Sequence, residues 1–267
     1  MSHSFANGKF IDTPTSRTLL GFVDKVETSR RCGWIKGESG VGKTAVIHHV
    51  KAQENRYAKL ITVLKTNGST RAFLETFAQV IGCNSISNSA KALYDKIEDF
   101  MALDHFGEYH RDFQCQLLFV DEAQHLDLET MRVVLELQKN SGLPIVFLSN
   151  EERLQRSRLH DPALKQIANR IPFRINIDGI RSGDIQSFAI AHNVEGIDEY
   201  HYLEEAAKEG NLHDLTFILQ EARILAGPRG SIRLQHLRDA VTLWRGEDRD
   251  RHIFKLIPKA KRGENAA

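Results

Sequence analysis

Two short stretches of this chain carry residues able to handle a nucleoside triphosphate. Gly37-Glu38-Ser39-Gly40-Val41-Gly42-Lys43-Thr44 fits the spacing G-x-x-x-x-G-K-[ST]. Its glycines let the main chain wrap closely around phosphate oxygens with N–H groups turned inward. A helix starting there adds the positive end of its dipole. Lys43 is of the type that neutralises β- and γ-phosphates, and the Thr44 hydroxyl suits Mg²⁺. Such a pattern arises by chance about once in a hundred chains of this length, so a strand before it and a helix after it are what give it meaning.

The second stretch is Leu117-Leu118-Phe119-Val120-Asp121-Glu122. An apolar run delivers two carboxylates where a buried strand should end, and ligands sit at that end of open α/β sheets. Asp121 is expected to hold Mg²⁺, directly or through water, and Glu122 to orient and polarise the attacking water. An acidic pair after a strand also caps helices, so the phosphate-loop motif upstream is what favours catalysis. Asn150 follows the apolar run 145–148 and Ser149. Beside the Asp121 strand its amide would reach the water or the γ-phosphate, whereas a plain turn asparagine is the simpler reading. Arg170 precedes the last apolar alternation and reads either as a cation at a helix C-terminus or as an arginine finger for a neighbouring subunit. Arg153, Arg156, Arg158 and Arg174 compete for that role. Arg233 begins a helix for which Ser231 is the expected N-cap, and it could report nucleotide state. The histidines, His48, His49, His105 and His110 among them, lack zinc-ligand spacing.

Strands and helices must alternate to position these groups. Strands are expected at 33–36, 60–64, 117–120, 144–149 and 173–177. Helices are expected at 18–31, 45–53, 69–81, 90–101, 128–138 and 161–169, the last opened by Asp161-Pro162. Beyond 180 the pattern is helical throughout, with candidates at 184–192, 200–209, 214–226 and 231–244. This predicts an α/β fold: parallel β-α units with helices on both faces, then a small helical lid. The expected division is an N-terminal arm over 1–16, a nucleotide-binding core over 17–179, the lid over 180–245 and a charged, mobile tail over 246–267.

Composition agrees with a globular protein. The 267 residues are 41% hydrophobic and 27% charged, and 36 Lys+Arg against 35 Asp+Glu leave a formal charge of +1. That excludes a polyelectrolyte-type nucleic-acid binder without excluding a local basic patch. Three scattered cysteines make no disulfide framework or zinc site. Without a signal-peptide core or an apolar run of about 20 residues, a cytoplasmic location and no membrane contact are expected.

Together, GESGVGKT, LLFVDEAQHL, the Ser149-Asn150 strand end, NRIPF and GSIR resemble an AAA+ ATPase. The similarity is to the transposition ATPases of the TniB, TnsC and MuB kind, over about residues 18–245. The strand Ser141-Gly142-Leu143-Pro144-Ile145-Val146-Phe147-Leu148 resembles theirs, although theirs usually ends in Gly-Thr or Gly-Asn. The resemblance implies a P-loop AAA+ core binding ATP and Mg²⁺, with a C-terminal lid. It implies a ring or helical filament on duplex DNA that marks a target and recruits or stimulates a transposase, with a target-selector protein as a possible partner. MuB-like proteins carry an N-terminal DNA-binding module, for which the polar arm is expected to leave no room. The family's DNA contacts correspond to Lys65, Thr66, Asn67, Ser69 and Arg71 and to the stretch around Ser85, which offer cations, hydroxyls and backbone N–H groups for phosphate tracking. Binding should be sequence-independent, since no major-groove reading module is evident. The alternative is an AAA+ switch acting on protein partners, secretion-linked or replication-initiator-like, without a DNA filament.

Overall fold

The computed structural model describes residues 5–6, 9–54, 56–83, 89–102, 113, 115–150, 167, 169–208, 210–227 and 229–257. In chain order these form β1 (Phe5–Ala6), β2 (Lys9–Phe10), α1 (Pro14–Ser29), β3 (Cys32–Gly37), α2 (Lys43–Lys51), β4 (Ala58–Thr62), α3 (Thr70–Ile81) and α4 (Ala90–Met101). There follow β5 (Leu117–Asp121), a 3₁₀ turn (Ala123–His125), α5 (Leu128–Ser141), β6 (Ile145–Asn150) and β7 (Phe173–Ile177). The remaining helices are α6 (Ser182–Ala191), α7 (Ile197–Lys208), α8 (Leu212–Ala226), α9 (Leu234–Arg245) and α10 (Glu247–Leu256). The expected helix opening at Asp161-Pro162 lies outside the described residues.

The chain forms two compact units, one of Thr18–Glu38 and Val46–Asp178, the other of Met1–Arg17, Ser39–Ala45 and Gly179–Ala267. In the first, five strands make a sheet in the order β4-β5-β6-β3-β7, every pair parallel. The central strands are apolar on both faces because helices cover both. Thus Leu117, Leu118, Phe119 and Val120 of β5, and Ile145, Val146, Phe147 and Leu148 of β6, are all buried. The edge strand β7 alternates in burial instead. Gly33 lets α1 lie close against β3, since a Cβ there would meet Val26 Cγ2 at 2.4 Å and the Phe22 ring at 2.8 Å. A buried hydrogen bond from Trp34 Nε1 to Ser149 Oγ, 2.8 Å, joins β3 to β6 by side chains as well as main chain.

The second unit is helical and has its own apolar core around Tyr202, Leu203, Leu215, Leu219, Leu237 and Val241. Buried polar ties fix its helices. Asp184 accepts from Thr15 N (2.8 Å), Thr15 Oγ1 (2.6 Å) and Arg181 N (3.1 Å). Asp250 receives a two-bond fork from Arg238 (3.0 and 2.7 Å) and the Tyr202 hydroxyl (2.9 Å). Burial works to raise the Asp250 pKa, but the bonds from Arg238 and Tyr202 outweigh it and hold the carboxyl below its usual range.

Two expectations at the ends need correcting. Residues 1–16 are more than a polar arm, because β1 pairs antiparallel with β2 and α1 already begins at Pro14. Thr13 caps that helix: its N–H bonds Ser16 Oγ (2.8 Å), and Ser16 N–H bonds Thr13 Oγ1 (3.0 Å). Nor is the stretch from 246 simply a tail, since α10 occupies Glu247–Leu256 and buries Asp250 and Ile253. The N-terminal residue of α9 also differs: Arg233 holds the cap position assigned above to Ser231.

Candidate nucleotide site

All five strands of the sheet run the same way, so their C-terminal ends share one edge. Gly37 of β3 pairs in register with Asn150 of β6, and Thr62 of β4 with Asp121 of β5. The Val120–Phe147 pair sets β5 beside β6 one step before Asp121. Thus the topology brings Gly37, Asp121 and Asn150 to one sheet edge.

The chain leaves β3 into the glycine loop. Gly40 and Gly42 adopt φ of 81° and 93°, a left-handed conformation that side-chain-bearing residues rarely take. Glu38 and Ser39 are exposed and Val41 is buried. Lys43 is the first residue of α2 and Thr44 the second, so both stand at a helix N-terminus. Within the helical unit, α8 starts against this loop. Leu212 N–H bonds the Gly40 carbonyl at 3.0 Å, and a Cβ on Gly40 would lie 2.6 Å from Asn211 Cγ. Asn211 also caps α8 through Asp214 N–H at 3.0 Å. The sequence reading missed Asn211; its place one residue before an apolar helical run was the available signal.

The acidic end is held on several sides. Glu122 N–H bonds Asp121 Oδ1 at 2.9 Å, and Glu122 has φ 55° and ψ 36°, left-handed for a residue with a side chain. Such a conformation costs on the order of 1 kcal/mol and persists only where surrounding contacts enforce it. Gln124 donates through Nε2 to Glu122 Oε2, while its Oε1 accepts the Asn150 N–H at 3.3 Å. His125 Nδ1 lies 3.0 Å from the Val63 carbonyl. Gly68 packs so tightly that a Cβ would sit 2.0 Å from the His125 carbonyl oxygen. The Gly68 carbonyl accepts from Asp127 N–H (3.1 Å) and Thr130 Oγ1 (3.0 Å). Sequence reasoning passed over Gln124 and Gly68, although Gln124 stands two residues after the glutamate it contacts.

The other sequence candidates are spread more widely. Lys65 and Thr66 are exposed, and Ser69 is the exposed cap residue of α3. Asn67 turns back so that its Oδ1 accepts Leu64 N–H at 2.6 Å. Arg71 pairs with Glu75 at 2.9 Å. Arg170 is exposed just before β7, and Arg174 donates to the Ile171 carbonyl at 3.1 Å. Arg233 pairs with Glu195 at 3.2 Å. Ser85, Arg153, Arg156 and Arg158 lie outside the described residues. Cys32, Cys83 and Cys115 are buried, and burial pushes the Cys32 and Cys115 thiols up to about 12. Among the described residues no helix is long and apolar enough to cross a membrane.

The family model described as AAA domain matches residues 26–156, from the end of α1 through the glycine loop and the acidic strand to just past Asn150. The fold is similar to the ORC2 protein of Aeropyrum pernix (TM-score 0.55, 18% identity, 86% of this chain and 66% of that one). It is also similar to domain III of the Thermotoga maritima replication initiation protein DnaA (TM-score 0.54, 14% identity, 87% and 93%). In sequence the chain is similar to the ATP-dependent target DNA activator B of Escherichia phage Mu, 23% identical over 257 residues, covering 93% of this chain and 77% of that protein. The chain carries an AAA domain over residues 26–156 and is similar in sequence to the phage Mu activator. The chain is also similar to the Mu-like prophage FluMu DNA transposition protein B of Haemophilus influenzae, 24% identical over 199 residues, covering 71% of this chain and 63% of that protein. The AAA domain and these relatives support ATPase activity, a chemistry that calls for a glycine loop and an acidic strand end of the kind described above.

Proposed function

We propose that this ATPase is an ATP-dependent regulator of transposition: it oligomerises on duplex DNA, marks a target site and recruits or stimulates a transposase. The observation that carries the reading is the extent of the likeness to the phage Mu activator. It runs over 93% of this chain, through the helices beyond residue 179 as well as the AAA domain.

In this reading Gly37, Glu38, Ser39, Gly40, Val41 and Gly42 wrap the triphosphate with main-chain N–H groups, and Lys43 neutralises its outer phosphates. Thr44 and Asp121 offer hard oxygen ligands of the kind Mg²⁺ takes. When bound, Mg²⁺ supplies positive charge against that developing on the phosphates. Glu122 accepts the proton of the attacking water and Asn150 orients it. Arg170 serves a neighbouring subunit, and Arg233 senses nucleotide after giving up Glu195. Lys65, Thr66, Asn67, Ser69, Arg71 and Ser85 track the DNA backbone without reading bases. A formal charge of +1 suits a protein whose affinity comes from many subunits each making few contacts.

The test is electron microscopy with duplex DNA and a non-hydrolysable ATP analogue, alongside ATPase assays with and without DNA. Ordered oligomers on DNA and a DNA-stimulated rate are expected. Indifference to DNA in both would favour the switch acting on protein partners, for which the near-zero formal charge and the lack of an evident major-groove reading module are the motive.

A further inference from the structure

Gln124 has no assigned part in hydrolysis, yet its side-chain amide spans two catalytic elements. Nε2 donates to the carboxylate of Glu122, and Oε1 accepts the main-chain N–H of Asn150 at 3.3 Å. Only one orientation of the amide satisfies both partners. Flipping it would set oxygen against carboxylate and NH₂ against N–H. The residue is also well placed to act as a fixed arm. It sits in the 3₁₀ turn Ala123–His125, which His125 pins to the Val63 carbonyl and which Gly68 abuts without room for a methyl group. Glu122 meanwhile has its own main chain held by Asp121.

We propose that Gln124 is a positioning residue for ATP hydrolysis. Its amide holds the Glu122 carboxylate through one oxygen and makes the placement of that carboxylate depend on the end of β6. A shift at Asn150 on binding the γ-phosphate is thereby passed to the base through a single side chain. The inference rests on the role given to Glu122 above.

Gln124→Ala should lower kcat about tenfold or more, with KM for ATP and the affinity for a fluorescent ATP analogue within twofold of the parent. Gln124→Glu keeps the length and the acceptor for Asn150 N–H but loses the donor to Glu122, so it should be at least as slow while melting at the parent temperature. In a Glu122→Gln background, adding Gln124→Ala should cause no further loss, because the two act as one unit. A parent kcat in Gln124→Glu, or a Gln124→Ala variant that loses ATP affinity and melting temperature along with kcat, would overturn the proposal. Normal hydrolysis by Glu122→Gln would instead overturn the assignment of the base. Normal hydrolysis by the Gln124 variants beside an inactive Glu122→Gln would sink the inference alone. As a readout apart from turnover, the Gln124 side-chain amide resonances in ¹⁵N spectra of the nucleotide-free protein should move in Glu122→Ala.

Discussion

The glycine loop and the acid turn each follow a buried parallel strand, and the chain builds them with opposite materials. From Gly37 to Gly42 the loop relies on left-handed glycines, and its bond with α8 is made main chain to main chain, Leu212 to Gly40. From Asp121 to Thr130 the turn is cross-linked by side chains, with Asp121, Gln124, His125 and Thr130 each bonding a neighbour. The contrast is physical. A phosphate is gripped by N–H groups that only a bare main chain can aim at it, so bulk is excluded. A proton acceptor must keep one position, and that takes bonds from several directions.

The contrast can be broken experimentally. The largest effect is expected for Glu122→Gln, which should cut kcat by about a hundredfold or more while ATP affinity stays near normal. Lys43→Ala should do the reverse at the other element, weakening ATP binding by at least about tenfold in a fluorescence titration. If Glu122→Gln lost affinity and Lys43→Ala kept it, the division between gripping and placing would be wrong. Gly68→Ala tests the bracing itself: a methyl group against the His125 carbonyl must displace the turn, so kcat should fall several-fold and stability by about 1–3 kcal/mol in urea melts.

Acid should separate the two units. His192 is buried, its Nε2 has no hydrogen-bond partner among the described residues, and burial, aided by nearby Arg223, lowers its pKa to about 4. A base held neutral in the folded state contributes fully above its unfolded pKa of about 6.5, and the contribution is lost as pH falls toward 4. The Asp250 tie follows later, lost below the ordinary carboxylate range because its folded pKa is depressed. The two tryptophans sit in different units, Trp34 in β3 and Trp244 in α9, so single-tryptophan variants report each separately. Between pH 6.5 and 4 the Trp244 transition should weaken by up to about 3 kcal/mol while that of Trp34 changes little, and His192→Phe should flatten the slope. The smallest effect is expected for Arg71→Ala. Its exposed pair with Glu75 should be worth under about 0.5 kcal/mol, so any sizeable loss of DNA-stimulated turnover would reflect contact with DNA rather than folding.

Much of the sheet was legible because its strands are unbroken apolar runs bounded by polar residues, as in 117–120 and 145–148. The glycine and acidic motifs each follow one of these strands, so the edge shared by Gly37, Asp121 and Asn150 was legible too. Boundaries set by polar residues were harder. Thr13, Thr15 and Ser16 read as solvent-facing, yet they are buried because they cap α1 and bind Asp184. Pro14 at the first helical position was the signal available. The α10 segment reads as a charged tail because only Asp250 and Ile253 of the helix are fully buried, and Asp250 finds its partner Arg238 twelve residues earlier. Gln124 was invisible for a different reason. Its meaning depends on Asn150, which strand pairing rather than spacing brings near.

The left-handed backbone at Glu122 has a consequence for anyone trying to harden this enzyme. A collection of substitutions ranked by heat resistance alone should reward Gly or Asn at this position, since both accept that conformation readily. Each such winner would have discarded the carboxylate proposed above to activate water, so in that reading thermal selection and turnover pull against each other at this single residue.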